Sequence, residues 1–181
     1  MNKSKIRSKI LKLRKKNFNK NLKINLDKFI SFLKMNVSNT RKIGGYYPSN
    51  YEIDDLEILN VLDKQNFEIS LPIVKKNNQM NFYSWSKKYP LKVNKFGIPE
   101  PVSSKILYPD IMLVPLVGYD NNFNRLGYGG GFYDRYIEKI DKIKKVTKIG
   151  LAFSYQKIKS VPIDQYDKKL DFIITEKEII K

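Results

Sequence analysis

The chain has 181 residues, of which 41% are hydrophobic, so it is long and apolar enough to form one domain with a packed core. It contains no cysteine and no histidine, which excludes thiol nucleophiles, disulfides, thiolate metal sites and imidazole proton transfer. Its formal net charge of +17 comes mainly from lysines scattered among many Asn and Ile residues, a pattern that argues against a nucleic-acid surface but leaves a small basic RNA-binding protein as an alternative.

Apolar periodicity predicts helices and strands that alternate along the chain. In chain order, the predicted elements are a helix over 3–16, a helix over 22–33, a strand over 43–47 that ends at Pro48, a helix over 54–64, strands over 67–74, 80–85 and 111–115, a helix over 132–140, and strands over 148–153 and 172–175. A polar break is expected at 36–40, and 96–101 is expected to be irregular because Gly97, Pro99 and Pro101 interrupt it. The alternation predicts a single α/β domain over 1–181, with a mostly parallel sheet covered on both faces.

The apolar stretches also bear on location. None approaches the about 20 residues that a membrane helix needs, and no apolar signal-peptide core follows the basic N-terminus. We therefore expect a cytoplasmic protein that does not bind membranes. We also expect a monomer that does not bind nucleic acid. The acid-free segment 1–26 leaves an organelle transit peptide open, although it is rich in Lys and Asn and leads directly into a helical pattern.

The most informative segment is 125–135, Arg-Leu-Gly-Tyr-Gly-Gly-Gly-Phe-Tyr-Asp-Arg, which lies between a predicted strand and a predicted helix. Glycines let the backbone approach a polyphosphate closely, while Arg125 can neutralise charge and Asp134 can hold a magnesium ion. The segment is neither a Walker A loop nor a dinucleotide fingerprint. Its spacing alone therefore indicates a phosphate site or, equally, a flexible loop.

The run 109–135, with Pro109-Asp110, Val114-Pro115, Asp120 and the glycine segment, resembles the signature of the 5-formyltetrahydrofolate cyclo-ligases (5,10-methenyltetrahydrofolate synthetases). Four further segments agree in order. They are Lys3 with Arg7; Tyr47-Pro48 with Glu52; Phe96-Gly97-Ile98-Pro99-Glu100-Pro101; and the C-terminal positions Ile149 to Phe153, Gln156, Pro162, Asp167, Leu170-Asp171 and Ile174-Thr175-Glu176.

The resemblance implies a fold, a reaction and three sets of site residues. The fold would be a three-layer α/β/α domain similar to sugar-phosphate isomerase and CoA-transferase-like folds. The reaction would be the ATP- and Mg²⁺-dependent conversion of 5-formyltetrahydrofolate, with or without a polyglutamate tail, to 5,10-methenyltetrahydrofolate, releasing ADP and phosphate. The ATP site would comprise Lys3, Arg7, Arg125, Leu126, Gly127, Tyr128, Gly129, Gly130, Gly131, Phe132 and Tyr133. The folate site would comprise Tyr47, Glu52, Phe96, Tyr128, Gly129, Gly130, Gly131 and Phe132. Asp134 and Asp167 would hold Mg²⁺, and Arg125 and Asp134 would be catalytic.

Ordinary structural roles stay open for several of these residues. Lys3 and Arg7 lie four apart on one helix face, which on spacing alone favours a solvated basic face. Glu52 could be a surface acid near a helix start, and Asp54 and Asp55 are better explained in that way.

The aromatic residues have a similar alternative. Tyr128, Phe132, Tyr133 and Phe96 could stack on the pterin or on adenine, yet lone aromatics more often belong to a core. Tyr47 and Trp85 are weaker stacking candidates.

Three departures from the family pattern stand out. Phe123 replaces a usual Gly, which we expect to be tolerated because Asn121 and Asn122 can themselves adopt turn conformations. Leu116 follows Pro115 where Gly is common, and Gln165-Tyr166 replace Glu-His before Asp167. The last departure keeps open a paralogue that binds ATP but acts on another substrate.

The implied mechanism needs no enzyme nucleophile. The γ-phosphoryl group would pass to the formyl oxygen, and N10 of the substrate would then attack the activated carbon. The protein would hold both ligands at attack distance and neutralise phosphate charge, which agrees with a chain that lacks Cys and His.

Overall fold

The computed structural model describes residues 2–37 and 40–181. The helices are α1 Lys3–Asn17, α2 Leu26–Asn36, α3 Leu56–Lys64 and α4 Phe132–Asp141. The strands are β1 Lys42–Gly44, β2 Glu68–Val74, β3 Met80–Ser84, β4 Leu91–Val93, β5 Pro99–Pro101, β6 Ile111–Pro115, β7 Gly118–Tyr119, β8 Arg125–Leu126, β9 Thr147–Leu151, β10 Phe172–Ile174 and β11 Ile179–Ile180.

Seven strands form the central sheet in the order β11-β10-β9-β6-β1-β2-β3. The five inner strands run parallel, and β3 and β11 pair antiparallel at the two edges. The predicted mostly parallel sheet is therefore confirmed. Two short antiparallel pairs, β4–β5 and β7–β8, lie outside it.

Alternate residues of the inner strands face two separate hydrophobic layers. Ile111 and Leu113 of β6 pack with residues of α2 and α3, whereas Met112 and Val114 pack with residues of α4. Because both faces of β6 are buried, its sequence is a continuous apolar run without alternation. The predicted three-layer α/β/α arrangement is confirmed.

The connections predict a crevice at the carboxyl ends of β1 and β6, in the middle of the sheet. β1 and β6 are neighbours, but the chain proceeds from β1 towards β2 and from β6 towards β9, in opposite directions across the sheet. In open α/β sheets, ligands bind outside the carboxyl ends of strands at such a reversal. Helix α1 lies at this end of β6, because its Ile6 and Ile10 pack against Val117 and Leu126.

Several predicted element ends shift by a few residues, the largest shifts being at the start of α2 and the end of β1. Helix α2 begins at Leu26 because the Asn25 side chain accepts a hydrogen bond from the N–H of Lys28 and caps it. Strand β1 ends at Gly44 rather than at residue 47. Of the expected polar break at 36–40, Ser38 and Asn39 lie outside the described residues.

The prediction that 96–101 is irregular was right for 96–98, which form a turn, and wrong for 99–101. Pro99–Pro101 is a strand that pairs with Leu91–Val93, and the N–H of Asn94 donates to the carbonyl of Ile98. In an antiparallel pair, hydrogen-bonded and non-hydrogen-bonded residue pairs alternate. Since Asn94 and Ile98 are hydrogen-bonded, the pairs Val93–Pro99 and Leu91–Pro101 are not, so the two prolines need no N–H there. Among the described residues, no helix is both long and apolar enough to cross a membrane.

Candidate active site

The glycine segment forms the loop between β8 and α4. Gly129 (φ +103°) and Gly131 (φ +64°) adopt left-handed backbone conformations that other residues rarely take. In the described part of the chain, the N–H groups of residues 128–134 donate to no acceptor. The loop and the first turn of α4 therefore offer a row of free N–H donors, which is the chemistry that holds an anion.

The two predicted cations of α1 have different partners. The Nε of Arg7 donates to the carbonyl of Gly127 at 2.7 Å, and a Cβ on Gly129 would lie 3.4 Å from the guanidinium carbon. The Nζ of Lys3 pairs with Asp164 at 2.8 Å and with Asp167 at 2.5 Å. Burial opposes the charge of Lys3, but these two carboxylates raise its pKa. Arg7 thus borders the glycine loop, whereas Lys3 ties α1 to the loop 164–167.

The two predicted catalytic residues form an ion pair. Arg125 is buried and donates to Asp134 Oδ1 at 2.6 Å, and the same oxygen accepts the N–H of Lys168 at 3.0 Å. Burial lowers the pKa of Arg125, and the negative charges of Asp134 and Asp167 oppose that shift. The Nε of Arg125 has no partner in the described part of the chain.

Asp134 and Asp167, the predicted magnesium ligands, already have protein partners. Among residues 2–37 and 40–181, no group of three or more acidic side chains gathers to hold a metal. However, Asp134 and Asp167 both act on Arg125, and Mg²⁺ commonly binds one or two carboxylates together with substrate phosphates. The donor set fits Mg²⁺ bound alongside a nucleotide, and the assignment stays a prediction.

A turn that follows the carboxyl end of β1 places Glu52 beside the glycine loop. Asn50 (φ 47°) and Tyr51 (φ 62°) are both left-handed, and the N–H of Glu52 donates to the carbonyl of Ser49, as in a type I′ turn. The turn brings Glu52 Oε2 within 2.7 Å of the N–H of Ser49. Glu52 is thereby buried and held by its own turn.

Glu52 is also bonded to the glycine loop and, through it, to α1. The hydroxyl of Tyr128 donates to Glu52 Oε1 at 2.5 Å, and Arg14 donates to that hydroxyl oxygen. Burial raises the pKa of Glu52, and the hydrogen bonds from Tyr128 and Ser49 and the charge of Arg14 oppose the rise. Sequence reasoning missed Arg14, although its spacing of two helical turns from Arg7 places both on one face of α1.

The predicted aromatic residues are only partly brought together. Phe96, at the tip between β4 and β5, is 51% exposed, and its ring lies edge-on to Phe132 with centroids 6.1 Å apart. Tyr133 is half-buried, and its hydroxyl oxygen has no partner in the described chain. Tyr47 lies half-buried in the loop of Glu52, while Trp85 belongs to the hydrophobic core.

The side chain of Leu126 is buried against α1, and its carbonyl accepts the N–H of Val117. Its contribution to a nucleotide site is therefore limited to placing the loop that follows.

Asp55 is not the surface acid that the sequence indicated. It is fully buried: Oδ2 accepts the N–H of Tyr46 at 3.0 Å, and Oδ1 has no partner among the described residues. Burial raises its pKa well above the ordinary value for an aspartate. Close packing buries the carboxylate, since a Cβ added to Gly45 would lie only 2.7 Å from Asp55 Oδ2.

The three departures have different structural contexts. Asn121 and Asn122 are turn residues, as expected, but the left-handed position of the turn falls on Phe123 itself, with a φ of +62°. Leu116 is buried, and its side chain fills the space beside Gly150. Residues 165 and 166 are exposed.

Together, these features define the class of protein. Among the described residues, a row of free N–H donors, a buried carboxylate and an Arg–Asp pair follow the strands of a doubly wound sheet, as expected of an α/β enzyme that holds a phosphate-bearing ligand. A sequence profile of the 5-formyltetrahydrofolate cyclo-ligase family matches residues 1–176. The chain belongs to the 5-formyltetrahydrofolate cyclo-ligase family.

Individual relatives agree with this assignment. The 5-formyltetrahydrofolate cyclo-ligase of Haemophilus influenzae is 32% identical over 137 residues, which are 72% of this chain and 73% of that protein. The solution structure of the Aquifex aeolicus 5,10-methenyltetrahydrofolate synthetase superposes with a TM-score of 0.79 at 33% identity, covering 99% of this chain and 92% of that one. The Mycoplasma pneumoniae 5,10-methenyltetrahydrofolate synthetase superposes with a TM-score of 0.76 at 26% identity, covering 97% and 99%. The resemblance found in the sequence is confirmed.

Proposed function

We propose that this ligase closes the ring of 5-formyltetrahydrofolate, with ATP as co-substrate, to give 5,10-methenyltetrahydrofolate, ADP and phosphate. The observation that carries the proposal is the hydrogen bond between Tyr128 of the glycine loop and Glu52 of the turn after β1. It joins the segment proposed for ATP to the segment proposed for folate at the carboxyl end of the sheet. Two ligands held there would meet.

On the ATP side, the N–H donors of 128–134 would bind phosphate oxygens, and Arg7 and Arg125 would neutralise their charge. Lys3 would join them only by leaving Asp164 and Asp167. Asp134 and Asp167 would hold Mg²⁺, and the bound ion would neutralise phosphate charge. The Arg125–Asp134 pair supports this arrangement because it fixes both groups at the start of α4.

On the folate side, Glu52 would accept hydrogen bonds from the pterin, and Phe96, Phe132, Tyr128 and Tyr47 would supply aromatic surface. A cavity of about 330 Å³ adjoins Phe96. Four of its lining residues are Lys75, Lys76, Lys92 and Lys95, and Glu100, which lies 3.7 Å from the Nζ of Lys92, is the one acid among them, so the lining carries a net positive charge. Their charge supports binding of the anionic glutamate tail, including polyglutamylated forms.

The proposed chemistry proceeds in two steps. The formyl oxygen attacks the γ-phosphorus, the bond from that phosphorus to the bridging oxygen breaks, and ADP leaves. N10 then attacks the activated formyl carbon, loses its proton, and the carbon–oxygen bond breaks to release inorganic phosphate. We also propose that the protein acts as a monomer in the cytoplasm.

Oxygen-18 in the formyl group tests this sequence of bond changes. Single-turnover reactions with labelled 5-formyltetrahydrofolate should place the label in inorganic phosphate, which mass spectrometry can detect. Label released into water would contradict phosphorylation of the formyl oxygen. If folded protein binds ATP but forms no methenyl product, the chain is instead a paralogue with another substrate.

A further inference from the structure

Arg14 of α1 is a buried cation that contacts no carboxylate directly among the residues that the structure describes. Its side chain is 1% exposed, and its hydrogen bonds go to the carbonyl of Leu116 at 3.2 Å and to the hydroxyl of Tyr128. The guanidinium also lies over the Tyr128 ring, 5.5 Å from its centroid, and the Nε has no partner in the described chain. A buried cation without an ion-pair partner is costly, so a purely structural role explains Arg14 poorly.

The bonds around Tyr128 have a fixed direction. A guanidinium can only donate, so the hydroxyl oxygen of Tyr128 accepts from Arg14 and its one hydrogen must point to Glu52 Oε1. Glu52 Oε2 meanwhile accepts from the N–H and hydroxyl of Ser49. Arg14 therefore sets the orientation of the Tyr128 hydroxyl and favours the charged form of Glu52 through one intermediate group.

We propose that Arg14 is a positioning residue for the folate site, holding the Tyr128 hydroxyl on Glu52 so that the carboxylate is ready to bind the pterin. The inference rests on the proposed function. Helix α1 fastens the glycine loop at two points, with Arg7 on the Gly127 carbonyl and Arg14 on Tyr128. Only the second point leads to Glu52. Loss of Arg14 therefore weakens the binding of folate and leaves the affinity for ATP nearly unchanged.

The test compares Arg14→Met, which keeps length and loses charge, with Arg14→Lys and with Lys15→Met, a control at an exposed position on the same helix. Calorimetric titration with 5-formyltetrahydrofolate and with ATP measures each affinity without requiring turnover. Arg14→Met should weaken folate binding about tenfold and ATP binding less than about twofold, with partial recovery in Arg14→Lys. Lys15→Met should match the unaltered chain.

Two further measurements separate positioning from packing. The double variant Arg14→Met/Tyr128→Phe should bind folate no worse than the weaker single variant, because both changes break one chain of contacts. Folate affinity should fall on acidification as Glu52 takes up a proton. In Arg14→Met this acid limb should move to higher pH, because the positive charge that favours the charged form of Glu52 is gone. The other ionisable groups around Glu52, which are Tyr128, Tyr133, Tyr46 and Asp55, are unchanged in that variant.

Equal losses of folate and ATP affinity, additive effects in the double variant, or an unmoved acid limb would each overturn the proposal. If Arg14→Met fails to fold, the same criteria apply to Arg14→Lys and Tyr128→Phe. A chain that binds ATP but no folate before any substitution would overturn the proposed function as well, whereas unchanged folate binding in Arg14→Met would overturn this inference alone.

Discussion

Phe123 holds a backbone conformation that favours glycine, with φ at +62°. Its carbonyl accepts the N–H of Leu170, and its ring packs partly against the core cluster of α4. The hydrogen bond and the packing of the ring both hold the turn in place. They offset the conformational cost of a side chain at this position. A glycine would adopt this conformation without that cost.

Replacing Phe123 with Gly and with Ala separates that cost from the loss of the ring. Both variants lose the aromatic packing, but Gly relieves the left-handed conformation, so Phe123→Gly should be more stable than Phe123→Ala by about 1 kcal/mol. Urea unfolding measures the difference. At the exposed helical position Lys9 the order of Gly and Ala should reverse, and an Ala variant at 123 as stable as the Gly variant would contradict the argument.

Asp55 gives a second prediction at this scale, on stability and pH. Its pKa is raised by burial, so the folded state binds a proton more tightly than the unfolded state, and this contribution to stability is lost as pH rises from the ordinary value of 3.8 through the folded pKa. Asp55→Asn removes that loss. The free energy of unfolding of Asp55→Asn should therefore rise relative to the unaltered chain as pH increases above about 4.

Urea titrations at a series of pH values test this expectation. Glu138→Gln is the control, because Glu138 is an exposed acid of α4 that is not among the groups acting on Asp55, so the same relative rise should be absent there. A difference between Asp55→Asn and the unaltered chain that stays constant with pH would show that Asp55 carries no such linkage.

Among the secondary-structure elements, the β4–β5 hairpin brings Phe96 to the glycine loop. Its turn is held by the Asn94 side chain, which accepts the N–H groups of Phe96 and Ile98, and Gly97 takes a φ of +74°. The hairpin thus presents an exposed aromatic ring against Phe132. This placement supports the proposed contact between Phe96 and the folate.

Phe96→Ala should raise the KM for 5-formyltetrahydrofolate about tenfold and leave the KM for ATP nearly unchanged, since the loss of one aromatic contact corresponds to about 1.4 kcal/mol. Steady-state kinetics with each substrate varied in turn measures both constants. Tyr89→Ala is the control, because Tyr89 is 68% exposed and lies just before the hairpin. An equal rise in both constants would contradict a folate-specific role.

The elements also show how far sequence reasoning reaches. The helices and inner strands were predicted because their apolar periodicity reports burial, and the site segments because the resemblance located them. The strands β7, β8 and β11 have two residues each, too few for any periodicity. Arg14 and Asp55 were missed because their burial depends on tertiary packing, which neighbouring residues do not encode.

Over the whole molecule, positive charge exceeds negative by 17. Both proposed ligands are anions, so the field of the protein should raise their encounter rates in a salt-dependent way. Between about 20 mM and about 200 mM salt, kcat/KM should fall about tenfold for a triglutamate folate and about threefold for the monoglutamate. Initial rates measure this dependence. Equal salt dependence for the two folates would show that the positive charge of the protein does not speed its encounter with the glutamate tail.

The central claim is that the crevice at the β1–β6 end of the sheet joins ATP to a folate. The most direct measurement is the near-ultraviolet absorbance of the methenyl product when purified protein is mixed with 5-formyltetrahydrofolate, ATP and Mg²⁺, with Asp134→Ala as the comparison. We expect product that requires ATP and falls at least about a hundredfold in the variant. Full activity in a folded Asp134→Ala protein, or no product from the unaltered chain while it binds ATP, would contradict the account.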